Sequence, residues 1–72
     1  MKKIYNIEVD CANCANLCEV EVNKVKGVAL AVVNFMMQKM TIEFEDGVDE
    51  NKTMKTVLKI CKKIEPDFSI EL

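Results

Sequence analysis

The sequence predicts an α+β domain of two successive strand-helix-strand units, βαββαβ, with both helices on one face of a four-stranded antiparallel sheet. Three observations predict it. Apolar residues alternate with polar ones in three separate stretches, the mark of half-buried strands. Two intervening stretches carry apolar residues at helical spacing. The chain has only 72 residues, room for one thin-cored domain over residues 1–72 and none for a second. Packing each helix stripe against the same sheet face buries both at once and leaves the other face to water.

Each element follows in order. Tyr5, Ile7 and Val9 alternate with Asn6 and Glu8 as a first strand. Asp10-Cys11-Ala12-Asn13 breaks the alternation, and Asp10 and Asn13 are the candidate caps of a helix beginning at Cys14. Ala15, Cys18, Val22 and Val25 form its stripe, with Leu17 and Val20 off it, and Gly27 is the expected stop. Val28 to Phe35 reads as a second strand with Ala31, Val33 and Phe35 on one face, followed by a turn at Met36-Met37-Gln38. Met40, Ile42 and Phe44 give the clearest strand, ended by Asp46-Gly47. Met54, Val57, Leu58, Cys61 and Ile64 give the clearest helix, with Lys52, Lys55, Lys59 and Lys62 towards water. Pro66 closes it, and Phe68, Ile70 and Leu72 alternate as a last strand.

Composition narrows the function. A net charge of −2, with ten lysines and no arginine, argues against a nucleic-acid partner. No stretch approaches the ~18 apolar residues of a membrane span, and Met1 to Tyr5 lacks the apolar core of a signal peptide. The absence of histidine removes the commonest neutral metal ligand and general base, so thiols and carboxylates must carry any chemistry. Four cysteines make a disulfide framework only in an exported protein, and nothing here points to export. Cys11, Cys14 and Cys18 lie within eight residues of one another, far from Cys61. Cys18 and Cys61 fall on apolar helix stripes and read as core, with a third ligand position as the other reading of Cys18.

Cys11-Ala12-Asn13-Cys14 is a CxxC at a strand-to-helix junction. The spacing lets two sulfurs converge on one atom, and the helix N-terminus favours thiolate. Two thiolates without imidazole make a soft site, suited to Cu(I), Zn(II) or Cd(II). Asp10 is a third candidate ligand as well as a candidate cap. In the expected fold the first loop and the end of the second helix share one edge, where Cys11 and Cys14 sit. Lys62 and Lys63 end that helix and favour nearby thiolates. Met40 is core, while Met36 and Met37 are expected at the opposite edge from the CxxC.

Asp10-Cys11-Ala12-Asn13-Cys14, then Gly27-Val28, Val33-Asn34-Phe35 and Ile64-Glu65-Pro66-Asp67, resembles the heavy-metal-associated domain across essentially the whole chain. The resemblance implies a ferredoxin-like fold and a metal held by Cys11 and Cys14. It also implies a role as a soluble metallochaperone or as an N-terminal module of a metal-transporting P-type ATPase. Asp immediately before the first Cys is similar to the zinc, cadmium and lead branch, whereas copper carriers more often have Thr or Ser there. Zn(II) or Cd(II) is therefore the expected cargo, with Cu(I) as the other possibility. Glu8-Val9 stands where the family usually has Gly-Met, which leaves Val9 to do the packing of that Met.

The expectation is a cytoplasmic, monomeric, non-catalytic module that passes its ion to a membrane ATPase of the same or a separate chain, or to a matching metallochaperone domain, without entering a membrane. Two readings of other classes remain beside it. One is a thiol-disulfide switch at Cys11 and Cys14. The other is a structural zinc site built from Cys11, Cys14, Cys18 and Cys61.

Overall fold

The computed structural model describes residues 2–72, so Met1 of the expected domain lies outside the described residues. The elements are β1 (Lys2–Glu8), α1 (Ala12–Val22), β2 (Val28–Asn34), β3 (Lys39–Phe44), α2 (Glu50–Ile64) and β4 (Ser69–Ile70). The order is the expected βαββαβ. The sheet runs β2-β3-β1-β4 with every pair antiparallel. The two helices pack beside each other and enclose one core with the sheet. Its fully buried side chains include Val22, Met40, Ile42, Met54, Val57, Phe68, Cys18 and Cys61. Val9 is buried in the same core.

The helix ends differ from the expectation in informative ways. α1 starts at Ala12, two residues before Cys14, because Cys11 is the cap: its backbone is extended and its sulfur accepts the Cys14 N–H at 3.3 Å. Neither Asp10 nor Asn13 fills that role. α1 also stops at Val22, well short of Gly27. Asn23 ends it by turning its side chain to β2: Nδ2 donates to the Ala31 carbonyl and Oδ1 accepts the Ala31 N–H, both at 2.9 Å. Glu19 Oε2 accepts the Val33 N–H at 2.7 Å. Val25 therefore lies in a turn rather than on the helix stripe. Gly27 serves the entry to β2, at φ +99°, where a Cβ would stand 3.2 Å from Thr53 Oγ1 and 3.3 Å from Val48 Cγ1.

α2 matches its pattern, with Asp49 Oδ1 accepting the Lys52 N–H at its start. Its last turn is closed by the Glu65 N–H donating to the Cys61 carbonyl, and Pro66 prevents continuation. β4 is shorter than the alternation to Leu72 predicts. Only Ile70 and Ser69 pair, with Ile7 and Glu8, and Leu72 lies beyond the ladder, exposed.

One placement is reversed. β1 and β2 both run antiparallel to β3, hence parallel to each other, so the β2–β3 turn lies at the end of the sheet where β1 finishes. The Ile7 N–H donates to the Gln38 carbonyl at 3.0 Å. Met36 and Met37, 90% and 62% exposed, are thus at the same edge as the CxxC and not the opposite one.

Candidate metal centre

The chain leaves β1 at Glu8, buries Val9, and exposes Asp10 before turning into α1. Cys11 and Cys14 are half-buried free thiols at that turn. The cap geometry brings them together, since the residue that accepts the third-residue N–H of a helix necessarily sits over its first turn. A sulfur in that position gains from the open amides and the positive end of the helix.

The two thiols are not equivalent. Cys11 has its pKa lowered, first by the hydrogen bond from the Cys14 side chain and then by the backbone amides of Cys14 and Asn13. Cys14 is pushed up to about 11, first by giving that hydrogen bond to Cys11, then by burial, and then by the neighbouring negative charge of Cys11 and Glu65. The pair is unequal, with Cys11 the more acidic thiol and Cys14 the one that holds its proton more firmly.

Glu65 is the residue that sequence reasoning missed. Its Oε2 lies 3.6 Å from Cys14 Sγ, across 51 positions of sequence, and its Oε1 accepts the Asp67 N–H at 3.2 Å. The expectation that the end of α2 shares an edge with the metal loop was the available signal, and the Ile64-Glu65-Pro66-Asp67 turn contains the carboxylate. The charge beside the thiols is therefore this acid, while Lys62 and Lys63 are exposed.

Cys18 and Cys61 are fully buried and neighbour each other where α1 meets α2. Burial raises both thiols. They form a separate pair inside the core. Among the described residues no group of three or more His, Cys, Asp or Glu side chains is gathered as a metal cluster, so the four cysteines do not converge on one point. No helix among the described residues is long and apolar enough to cross a membrane.

The profile of the heavy-metal-associated domain matches residues 4–66. The chain belongs to this family. A heavy-metal-associated domain is a metal-binding module and not a catalytic one, and its fold is the ferredoxin-like one found here. The chain is similar to a copper-exporting P-type ATPase of Bacillus subtilis (strain 168), 46% identical over 44 residues, covering 60% of this chain and 6% of the relative. It is also similar to a cadmium, zinc and cobalt-transporting ATPase of the same organism, 34% identical over 71 residues, 97% of this chain and 10% of the relative. The chain thus spans a tenth or less of the curated relatives it matches. Among solved structures it resembles the Cu(I)-loaded N-terminal domain of a potential copper-translocating P-type ATPase from Bacillus subtilis. That match has a TM-score of 0.73 at 30% identity, over 99% of this chain and 84% of the other.

Proposed function

We propose that this heavy-metal-associated domain carries one soft metal ion between Cys11 and Cys14 and hands it on by ligand exchange. The observation that carries the reading is the unequal thiol pair at the start of α1. Cys11, capping α1 and the more acidic of the two thiols, is the one readier to meet the ion as thiolate, and Cys14 closes on it by giving up its proton. In transfer, an incoming pair of thiolates attacks the ion while Cys14, the sulfur with the greater proton affinity, leaves and is reprotonated. A half-exposed site with two protein sulfurs favours this exchange, whereas a closed tetrahedral thiolate site holds its metal. The recipient is another cysteine-pair domain on the cytoplasmic side, in a metal-transporting ATPase of the same or a separate chain or in a matching metallochaperone, and the donor works as a monomer.

A divalent ion, Zn(II) or Cd(II), is the favoured cargo. Two thiolates neutralise a 2+ ion but leave Cu(I) at −1. Glu65 beside Cys14 and Asp10 beside Cys11 each add a negative charge, and carboxylate oxygen suits Zn(II) better than Cu(I). The similarity to the cadmium, zinc and cobalt transporter along 97% of the chain supports this. Cu(I) is the second reading, favoured by the two copper-related proteins above.

Competitive titration with Zn(II), Cd(II) and Cu(I) decides between them, with Cys11→Ser/Cys14→Ser and Asp10→Asn as variants. Serine at position 11 still caps α1, so the double-serine variant should fold and lose the metal. Since Cys11 is the cap, Asp10→Asn should leave stability unchanged while lowering Zn(II) and Cd(II) affinity more than Cu(I) affinity. Tighter Cu(I) than Zn(II) binding relative to the ions' affinities for a plain dithiol, untouched by Asp10→Asn, would overturn the divalent assignment.

A further inference from the structure

Gln38 is the only residue besides glycine with a positive φ among the described residues, at +53°. In that left-handed region a Cβ crowds the following carbonyl oxygen, and glycine alone escapes the cost. The sequence keeps a glutamine here, and both ends of its carboxamide are used. Nε2 donates to the Phe35 carbonyl at 2.8 Å and closes the β2–β3 turn. Oε1 accepts the N–H of Val9 at 2.9 Å, a bond spanning 29 positions of sequence.

The second bond lies at a decisive point. The paired register of β1 and β3 ends at Asn6 and Lys39, and the Ile7 N–H to Gln38 carbonyl bond follows it. Val9 lies past both, yet it is buried, and a buried N–H requires a partner. The carboxamide supplies one, carrying the hydrogen bonding of the sheet beyond its last backbone pair. One residue later the chain exposes Asp10, and the next residue is Cys11. A costly backbone conformation that persists because its surroundings over-determine it is the pattern found at functional sites.

We infer that Gln38 is a positioning residue for the metal loop. Its carboxamide clamps the Val9 backbone and so holds Cys11 over the first turn of α1, at a fixed place relative to Cys14, before the ion arrives. The inference rests on the reading of Cys11 and Cys14 as the metal site. A clamped loop orders nothing further on binding, so it binds more tightly and releases more slowly than a loose one.

Gln38→Gly removes the carboxamide and relieves the backbone. It should weaken Zn(II) binding about tenfold, as loss of a supporting contact around a metal site typically does, and release zinc to a chromophoric chelator correspondingly faster. Its melting temperature should move little, since relief of the positive φ offsets the lost bonds. Gln38→Glu keeps an acceptor for the Val9 N–H while losing the donor to Phe35, and should stay close to wild type in zinc affinity. In the metal-free protein, hydrogen exchange at the Val9 amide should quicken in Gln38→Gly and not in Gln38→Glu. Wild-type zinc affinity and release in Gln38→Gly, or equal losses in both variants, would overturn the inference. The Cys11→Ser/Cys14→Ser protein separates the two levels. If it keeps wild-type zinc affinity, the loop is not the site and both readings fall. If it loses zinc while Gln38→Gly does not, only the role of Gln38 falls.

Discussion

Replacing Cys18 or Cys61 by alanine tests whether the inner thiols are core or ligands. Both side chains are wholly buried at the contact of α1 with α2. Deleting a buried sulfur forfeits roughly the transfer free energy of one methylene, about 0.8 kcal/mol. A residual cavity of about 20 Å³ adds about 0.5 kcal/mol if the helices do not close on it. The higher helix propensity of alanine offsets up to about 0.5 kcal/mol of that. Each single variant should therefore lose about 1 kcal/mol, lowering the melting temperature by about 4–8 °C in a domain of this size. The double variant should lose less than the two singles together, because the sulfurs are each other's neighbours. A chain of this length has about 4–11 kcal/mol of stability, so all three proteins stay folded. Thermal melts of the reduced, metal-free proteins give the first quantity, and native mass spectrometry with Zn(II) gives stoichiometry. One zinc per chain should persist throughout. A loss of zinc affinity beyond about tenfold in either single variant would make that thiol a ligand and refute the argument.

Three further outcomes follow from the same geometry. Glu65→Gln removes one unit charge beside Cys14, and the ratio of Zn(II) to Cu(I) affinity should fall about fivefold or more, from competition with chelators selective for each ion; an unchanged ratio would separate Glu65 from the cargo. Because Cys14 holds its proton to about pH 11, zinc must displace that proton at every physiological pH. Affinity should then rise with pH by about tenfold per unit for each proton displaced and decline on acidification; calorimetry in buffers of different ionisation enthalpy should find at least one proton released per zinc near neutrality, and fewer would contradict the unequal pair. The buried core draws on both helices and the sheet without Cys11, so circular dichroism of the reduced apo-protein should show ordered helix and strand, and a random-coil spectrum would point to a structural zinc site instead.

What could be read from sequence depended on the range of the interaction. The alternation of Met40, Ile42 and Phe44 and the stripe through Met54, Val57 and Cys61 are local signals, and both elements stand where they predict. α1 was harder because Leu17 and Val20, 47% and 49% exposed, interrupt its stripe, while Glu19 and Asn23 bond to β2. A periodicity argument sees such polar residues only as a solvated face. The cap was misassigned because Asp and Asn outrank Cys as caps in general, and a sulfur acceptor has no separate signature. Met36 and Met37 were placed at the wrong end because local pattern is silent on strand direction; only the sheet order makes β1 and β2 parallel. At the candidate metal centre the CxxC was legible as a motif. Glu65 and Gln38 were not, since each reaches the loop from a distant part of the chain through a single side chain.

The two side chains that α1 turns to β2 have a consequence beyond ending a helix. β2 is an outer strand of the sheet, and its outward-facing amides and carbonyls are a template on which a foreign strand can lay itself. Asn23 occupies both backbone groups of Ala31, and Glu19 occupies the amide of Val33. The helix thus stands in for the missing neighbour, offering side-chain amide and carboxylate where another strand would offer peptide groups. The opposite border is only two residues long, at Ser69 and Ile70. A small protein with such borders resists growing into a larger sheet, a property that the transfer role proposed above requires.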